Sequence, residues 1–513
     1  MIELSLKEII NVTNANVVSE TANFENLSIN FICTDTRELA SKSVDPNSVI
    51  DNKTTLFIAI KGPQFDAYQF VQKAQDFGVA ALIVEKSSMD ENSSNTTIHI
   101  PQLIVSNSRL ALAQISKLVR NKSTAKFIGV TGSSGKTTVK EIIASILKCH
   151  GETFATIGNF NNSIGVPLSL LRLKESTEYA VLELGASQIG EIAFTVNLVR
   201  PNVAMVNNVS GAHLEGFGDL QGVAQAKSEI YLGLEKKDTA VINLDDAFSN
   251  YFIKQCTSKL LGFSVLETNA EKADVFAKNI KLDDQQNVSF DLVYESKTNH
   301  VNLPLLGKHN VQNALAAACC CIALNISIEN IIKGLTKVKS VNGRLNTFNL
   351  QSGCRLIDDT YNANLESIKA AIDLLSESPS PKMLVLGDMA ELGDYARQSH
   401  EEVGLYAKEK HIDYLYTNGE FTKLTQQAFK NSKLDKCENR EGLHFKNQTI
   451  LIEQLISVIP KIKTILVKGS RSSHMENIVE ALKVNDSLDS QNHQDITIIK
   501  NKSNTEETHE EIV

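Results

Sequence analysis

The stretch KFIGVTGSSGKTTVKE, Lys126 to Glu141, decides how the rest of the chain reads. Phe127, Ile128 and Val130 lead in. Glycines at 129, 132 and 135 punctuate the middle, and Val139, Ile142, Ile143, Ile146 and Leu147 follow at helical spacing. The predicted order is strand, glycine loop, helix, which suits a polyphosphate. Around Gly132, Ser133, Ser134 and Gly135, glycine lets backbone N–H groups approach phosphate oxygens without a Cβ in the way. The helix start adds partial positive charge at the same place. Lys136 reaches toward β- and γ-phosphates, the Thr137 hydroxyl suits Mg²⁺, and Thr138 ends the T-G-x-x-G-K-T-T run begun at Thr131. The usual G-x-x-x-x-G-K-[ST] spacing is not met. Gly129 lies one residue too far upstream, and Val130 occupies its expected place.

Bulk properties narrow the class. A chain of 513 residues exceeds one ordinary core, so roughly two to four domains are expected. Its 42% apolar and 22% charged residues are those of a globular protein. A net charge of −9 argues against general nucleic-acid binding, which needs a basic surface. Of the cysteines, Cys319, Cys320 and Cys321 are consecutive in an Ala-rich run, and no CxxC or Cys/His zinc spacing occurs. That pattern suits a buried helix and reduced thiols, hence a cytoplasmic protein. MIELSLKEII carries no secretory signal pattern, and no apolar run reaches the ~18 residues of a membrane span.

Taken in order, the chain divides into α/β units. Residues 1–122 form a small N-terminal α/β domain: a serine-capped helix in SLKEIINVTNA, strands in FICTDTRE and TLFIAIKG, a helix over 69–78 and strand VAALIVE. A polar segment (87–97), strand QLIVS and a helix over 108–121 complete it. Arg37 and Lys61 are either contacts for an anionic group or ordinary surface charges.

Residues 123–340 form the central unit, with YAVLELG, NVAMVNNV and TAVINLDD as central parallel strands. Ligands bind outside the carboxyl ends of such strands. That singles out Glu183, Asn207, Asn208 and His213, with Lys227 in the helix-like GVAQAKSEIY. Glu183 and His213 suit Mg²⁺ on a nucleotide. Lys227, as an ammonium, only donates, so bare chemistry makes it a solvated residue or an anion contact. Past the turn at Gly307, Asn310 and Asn313 open a helix that is apolar almost all round and therefore buried. The two amides either meet a purine edge or cap the helix, and local chemistry favours the cap.

Residues 341–484 contain three strand–loop–helix units, beginning CRLIDD, MLVLGD and TILVKG, and imply a second parallel sheet without a phosphate loop. Asp358 and Asp359 adjoin in extended chain and point opposite ways, which argues against a carboxylate dyad. Residues 485–513 are polar and read as a disordered tail.

Together these motifs resemble the Mur ligase family of ATP-dependent amide-bond ligases, over roughly residues 30 to 482. The markers are TGSSGKTT (131–138), NFNNSIGVPLSLL (159–171), ELGASQIGEI (183–192), AHLEGFG (212–218), AKSEIY (226–231), GKHNVQNALAA (307–317), DDTYNANLESIKAAI (358–372), LGDMAELG (386–393) and VKGSR (467–471). The family's longer glycine loop accounts for the spacing at Gly129. The resemblance implies three domains: UDP-substrate binding, a central P-loop ATPase and a mobile Rossmann-like C-terminal domain. YNAN, DMAELG and KGSR point to the activity that adds D-alanyl-D-alanine to UDP-N-acetylmuramoyl-tripeptide, through an acyl phosphate, in peptidoglycan precursor synthesis.

Roles follow from the resemblance. Lys136 and the loop N–H groups would hold ATP, Thr137 and Glu183 one Mg²⁺, and His213 a second. Lys227 would be the family's carbamylated lysine, an oxygen ligand once CO₂ is added. Asn310 and Asn313 would sit at adenine, Asp359 at the ribose and Arg344 at the phosphates. Asp35, Thr36 and Arg37 would contact the UDP end, and Asn162, Asn362, Asn364 and Asp388 the peptide substrates. The chain departs from the family pattern at Leu365 (usually proline), Ser228 (usually glycine) and Ala67-Tyr68 (often Gly-His or Ala-His), none of them a proposed ligand. A monomer is expected, with small-molecule substrates and neither nucleic acid nor membrane span. The alternatives are another family member, adding a diamino acid or extending folate, and a nucleotide-binding module without catalysis.

Overall fold

The computed structural model describes residues 1–20, 22–44, 52–62, 65–91, 98–211, 214–431 and 440–488. Four sheets organise them. The chain opens with helix Leu6–Thr13, whose N-terminus carries a reciprocal cap between Ser5 and Glu8. A two-stranded sheet, Leu4–Ser5 with Ser28–Ile29, sits beside it. The five-stranded sheet that follows runs Asn16–Val18, Gln102–Val105, Ala81–Glu85, Thr55–Ile58, Phe31–Cys33, parallel except at its first edge. Strands Thr55–Ile58 and Ala81–Glu85 are buried at every position, as parallel strands covered on both faces must be. Two helices replace expected loop: Thr36–Val44 begins inside the polar exit, and Lys86–Glu91 begins the segment read as polar, whose residues 92–97 lie outside the described residues.

The nine-stranded sheet holds the glycine loop. Strand Lys126–Thr131 lies between Tyr179–Glu183 and Val203–Val206, all parallel, with Glu183 level with Val130 and Val206 level with Thr131. The loops leaving these strands therefore open on one edge. Parallel pairing continues to Val275–Leu282, and Asn287–Tyr294 and Lys297–Leu306 close the sheet as an antiparallel meander. Helix His309–Ile322 buries every residue from Val311 to Cys321 except Gln312, so the three cysteines are core, and burial raises their thiol pKa values. It packs with Ile328–Leu335 on the helix Lys136–Leu147. Gly334 touches that helix so closely that a Cβ would stand 2.7 Å from the Ile146 nitrogen, and the Ser145 hydroxyl donates to the Gly334 carbonyl at 2.8 Å.

The third large sheet runs Asn346–Asn349, Arg355–Asp359, Thr464–Lys468, Lys382–Gly387, Tyr414–Asn418, Glu441–Phe445, parallel but for the first strand. Its last two strands extend the three expected from sequence. Helix Glu476–Leu488 runs past residue 484, and residues 489–513 lie outside the described residues. Among the described residues, no helix is long and apolar enough to cross a membrane.

The three units are joined unequally. One apolar cluster runs without a break from Leu56, Ile83 and Leu112 of the first sheet to Phe127, Leu170 and Val199 of the second. The third sheet has its own clusters, and among the described residues only Leu306 of the central sheet enters them. Its other ties are polar: Gln286 to the Leu374 carbonyl (2.9 Å), Lys308 to Glu377 (3.0 Å) and Arg355 to the Gln285 carbonyl (2.6 Å).

Gly334→Ala should destabilise the chain by about 1–3 kcal/mol, because the glycine-loop helix must shift to admit a methyl. A lower denaturant midpoint with an unchanged slope is the expected reading.

Candidate active site

Gly135 caps the helix Lys136–Leu147 in the left-handed region at φ +75°, and a Cβ there would lie 2.6 Å from Asn207 Nδ2 and 2.7 Å from Asn313 Oδ1. The same amides explain the asparagines. Asn310 Nδ2 donates to the Leu306 carbonyl (2.7 Å), Asn313 Nδ2 to Asn310 Oδ1 (2.8 Å), and Asn207 Nδ2 to Asn313 Oδ1 and the Ser134 carbonyl (both 3.0 Å). This corrects the capping reading: the N-cap residue is Lys308, without a side-chain cap, and the amides form a chain that braces the loop.

The loop itself departs from expectation in one respect. The Ser133 N–H donates to the Asn208 carbonyl (3.0 Å), the Ser134 N–H to Asn208 Oδ1 (2.9 Å), and the Ser133 hydroxyl to the Ser210 carbonyl (3.0 Å). These serines are tied to the loop 207–210. The helix's first turn, from Lys136 through Thr138, offers N–H groups to an anion. Lys136 folds back, donating to the Gly132 carbonyl at 2.7 Å. Burial lowers its pKa, Glu183 and Glu391 oppose the shift, and Arg344 adds to it.

Glu183 is buried at the strand end. Its Oε2 accepts from the Thr137 hydroxyl and its Oε1 from Asn161 Nδ2, both at 2.8 Å. A hydroxyl and a carboxylate on one spot are hard oxygen donors, the chemistry Mg²⁺ requires. Among the described residues, no group of three or more His, Cys, Asp or Glu gathers anywhere. His213 lies outside the described residues. Lys227 is 2% exposed, with no carboxylate at ion-pair distance among the described residues, and its Nζ lies 5.9 Å from the Phe217 ring centre. Burial, and the nearby Lys136, hold its pKa well below the ordinary lysine value.

The third sheet completes the cavity. Arg344 donates from Nη2 to the Thr137 hydroxyl (3.1 Å), stacks 4.2 Å from the Tyr361 ring centre, and keeps a buried Nε–H without a partner. Asp359 accepts from Lys468 Nζ (2.6 Å), which also donates to the Asn362 carbonyl (2.9 Å). Asp358 turns the other way and accepts from the Thr360 N–H and hydroxyl, as strand alternation required. The loop residues 133–138, Asn310, Asn313, Arg344, Asp359, Tyr361 and Lys468 line one cavity of about 660 Å³. Sequence reading missed Lys468 and Tyr361; the signal was their place at the ends of strands in KGSR and YNAN.

Other candidates stand apart or are spent locally. Asp35 and Arg37 form a fork-to-fork pair (2.6–3.1 Å) at the end of Phe31–Cys33, beside buried Thr36, and none of the three lines the cavity. Asn162 accepts from the Ile164 and Gly165 N–H groups. Asn364 lines the cavity but spends its side chain capping helix Leu365–Ser376, and Asn362, also at the cavity, accepts from the Ala363 N–H.

Comparison with known proteins adds to this geometry. Residues 130–321 match the Mur ligase middle domain, and residues 343–471 the Mur ligase, glutamate ligase domain. The UDP-N-acetylmuramoyl-tripeptide–D-alanyl-D-alanine ligase of Escherichia coli (strain K12) is 39% identical over 94% of this chain and 99% of its own. A crystal structure of MurF from Acinetobacter baumannii superposes with a TM-score of 0.81 at 33% identity, covering 94% of this chain and 98% of that one. MurF ligase from Thermotoga maritima, solved in complex with ADP, gives a TM-score of 0.73 at 27% identity, covering 89% and 97%.

Asp388 corrects the sequence reading, which put it at a substrate. Its carboxylate accepts from the N–H groups of Glu420 (2.7 Å), Phe421 (3.1 Å) and Thr422 (2.8 Å), at the start of helix Thr422–Asn431. The adjoining His400 is buried; its Nε2 accepts from the Met389 N–H and its Nδ1 faces the Ala396 carbonyl. Burial lowers its pKa below the ordinary 6.5, against the pull of Ala396 and Asp388. The unfolded chain then binds the proton first, so the contribution is intact above that value and lost as pH falls below 6.5. Chemical denaturation from pH 7.5 to 5 should show an acid limb that His400→Gln flattens.

Proposed function

The chain belongs to the Mur ligase family, and on that premise we propose that it joins D-alanyl-D-alanine to UDP-N-acetylmuramoyl-tripeptide in peptidoglycan precursor synthesis, forming ADP and phosphate from ATP. The reading rests on one observation. The glycine-loop residues Lys136 and Thr137 and the guanidinium of Arg344 line a single cavity, and the buried carboxylate of Glu183 accepts from the Thr137 hydroxyl at its wall. Whole-chain similarity to ligases of that name supports the same substrates.

A carboxylate acylates poorly because its leaving group would be oxide. Attack of the tripeptide carboxylate on the γ-phosphorus releases ADP and gives an acyl phosphate with a good leaving group. The D-alanyl-D-alanine amine then adds to the carbonyl carbon, and the tetrahedral intermediate expels phosphate as the nitrogen gives up a proton. The first step brings two anions together, so cations must screen them. Lys136 and the first-turn N–H groups would hold the β- and γ-phosphates, and Arg344, with its unpartnered Nε–H, would take a phosphate oxygen. Asp359, oriented by Lys468, would face the ribose, and Asn310 and Asn313 the adenine. Thr137 and Glu183 fit Mg²⁺, His213 would serve a second ion, and bound Mg²⁺ supplies charge neutralisation at the phosphates. Asp35, Thr36 and Arg37 would meet the UDP end, and Asn162, Asn362 and Asn364 the peptide. The third sheet would exclude water from the acyl phosphate on closing. A cytoplasmic setting, which supplies ATP and keeps thiols reduced, fits this reading.

Lys227 suits carbamylation. Its depressed pKa favours the neutral amine, whose lone pair adds to CO₂ with loss of one proton, giving an anionic oxygen donor. Lys227→Ala should lower kcat by roughly 10²–10³-fold, as loss of a charge-stabilising group does. Formate or acetate should restore part of it, and full activity of the alanine variant would remove the role.

The deciding assay is phosphate release by the purified chain with ATP, UDP-N-acetylmuramoyl-tripeptide and a panel of acceptors. Release should require D-alanyl-D-alanine, with a product mass equal to the joined substrates. Dependence on a diamino acid or on glutamate would reassign the chain within the family. Lys136→Ala and His213→Ala should both abolish turnover.

A further inference from the structure

The hairpin Asn346–Asn349 with Arg355–Asp359 pairs Asn346 with Asp358. Residues just beyond it on either strand, Arg344 and Tyr361, therefore meet at one end. Three contacts hold them. The Tyr361 N–H donates to the Gly343 carbonyl at 3.0 Å. Gly343 sits at φ +69°, where a Cβ would come within 3.1 Å of the Tyr361 nitrogen. The Arg344 guanidinium carbon stands 4.2 Å from the ring centre, well inside cation–π range. Leu345, next in line, takes φ +53°, an uncommon conformation for a leucine that turns the chain sharply after Arg344.

The guanidinium is thus stacked on one face and tied through Nη2 to Thr137, and its buried Nε–H has no acceptor among the described residues. A buried donor left unpaired awaits an acceptor. An arginine side chain has several rotatable bonds, and a planar ring beneath it fixes the plane in which its donors point. Among the described residues the Tyr361 hydroxyl bonds to no side chain, so the ring carries the contact.

We propose that Tyr361 is a positioning residue: its ring and main chain hold Arg344 in the orientation that receives a nucleotide phosphate, linking the third sheet to the glycine loop. The assignment deepens the ligase reading and rests on it for the identity of the anion.

The test is a double-mutant cycle on the full chain with Tyr361→Leu, Tyr361→Phe, Arg344→Ala and Tyr361→Leu/Arg344→Ala. ATP affinity is measured by calorimetry without acceptor, and kcat and KM with all substrates. Tyr361→Leu should weaken ATP binding about tenfold, the scale of a desolvated cation–π contact, and leave the KM for D-alanyl-D-alanine unchanged. Tyr361→Phe should recover most of that loss, and the double variant should bind no more weakly than Arg344→Ala alone. Additive losses, or a Tyr361→Phe defect as large as that of Tyr361→Leu, would overturn the assignment. Should Tyr361→Leu not fold, Tyr361→Gln carries the same expectation. The binding cycle needs no turnover: a wild-type chain that binds ATP but ignores D-alanyl-D-alanine would end the ligase reading and leave this one to the affinities.

Discussion

The Thr137 hydroxyl is the hinge of the chemistry, because two charged groups of opposite sign and different origin share it. It donates to Glu183 from the neighbouring strand and accepts from Arg344 of the third sheet. One small side chain thereby gathers a carboxylate for a cation and a guanidinium for an anion at the start of the glycine-loop helix. This geometry requires the parallel register that levels Glu183 with Val130, and the left-handed Gly135 that lets the helix begin there. Replace either and the oxygen donors no longer face the N–H groups of the first turn.

The loop is preorganised by amides that lie outside it. Asn207 and Asn208 grip it from the adjacent strand, while Asn310 and Asn313 extend the grip to the buried helix. Buried amides are costly unless paired. Here the Nδ2 groups of Asn207, Asn310 and Asn313 are all paired while Asn207 Oδ1 is not, and a row of polar groups crosses an otherwise apolar layer. Gly334 fixes the other end of the glycine-loop helix by close approach. Rigidity on both sides adds to the bonds that the loop's own Ser133 and Lys136 make.

The sequence made the α/β class and the phosphate loop legible because both are local patterns: alternation, glycine spacing and an apolar helical stripe. It also separated Asp358 from Asp359 by strand alternation alone. Partners distant in sequence were not legible. The asparagines of helix His309–Ile322 looked like caps because their true partner, Asn207, lies in another strand. Ser133 and Ser134 looked like phosphate donors because the Asn208 that takes their N–H groups is no motif neighbour. Asp388 sat at a strand end, the right address for a ligand contact, yet a helix N-terminus claimed it. Lys468 and Tyr361 carried no periodic signal, and only the sheet order brings them to the cavity.

The uneven joining of the three units has a thermal consequence. Heat capacity changes on rearrangement in proportion to the apolar surface that meets or leaves water. The first two sheets share an unbroken apolar layer, so parting them would carry a large heat-capacity signature. Among the described residues the third is fastened by an amide, one ion pair, an arginine on a carbonyl and a single leucine of the central sheet. Swinging it would expose mainly polar surface, whose hydration lowers heat capacity, so that motion would carry a small heat-capacity change of the opposite sign.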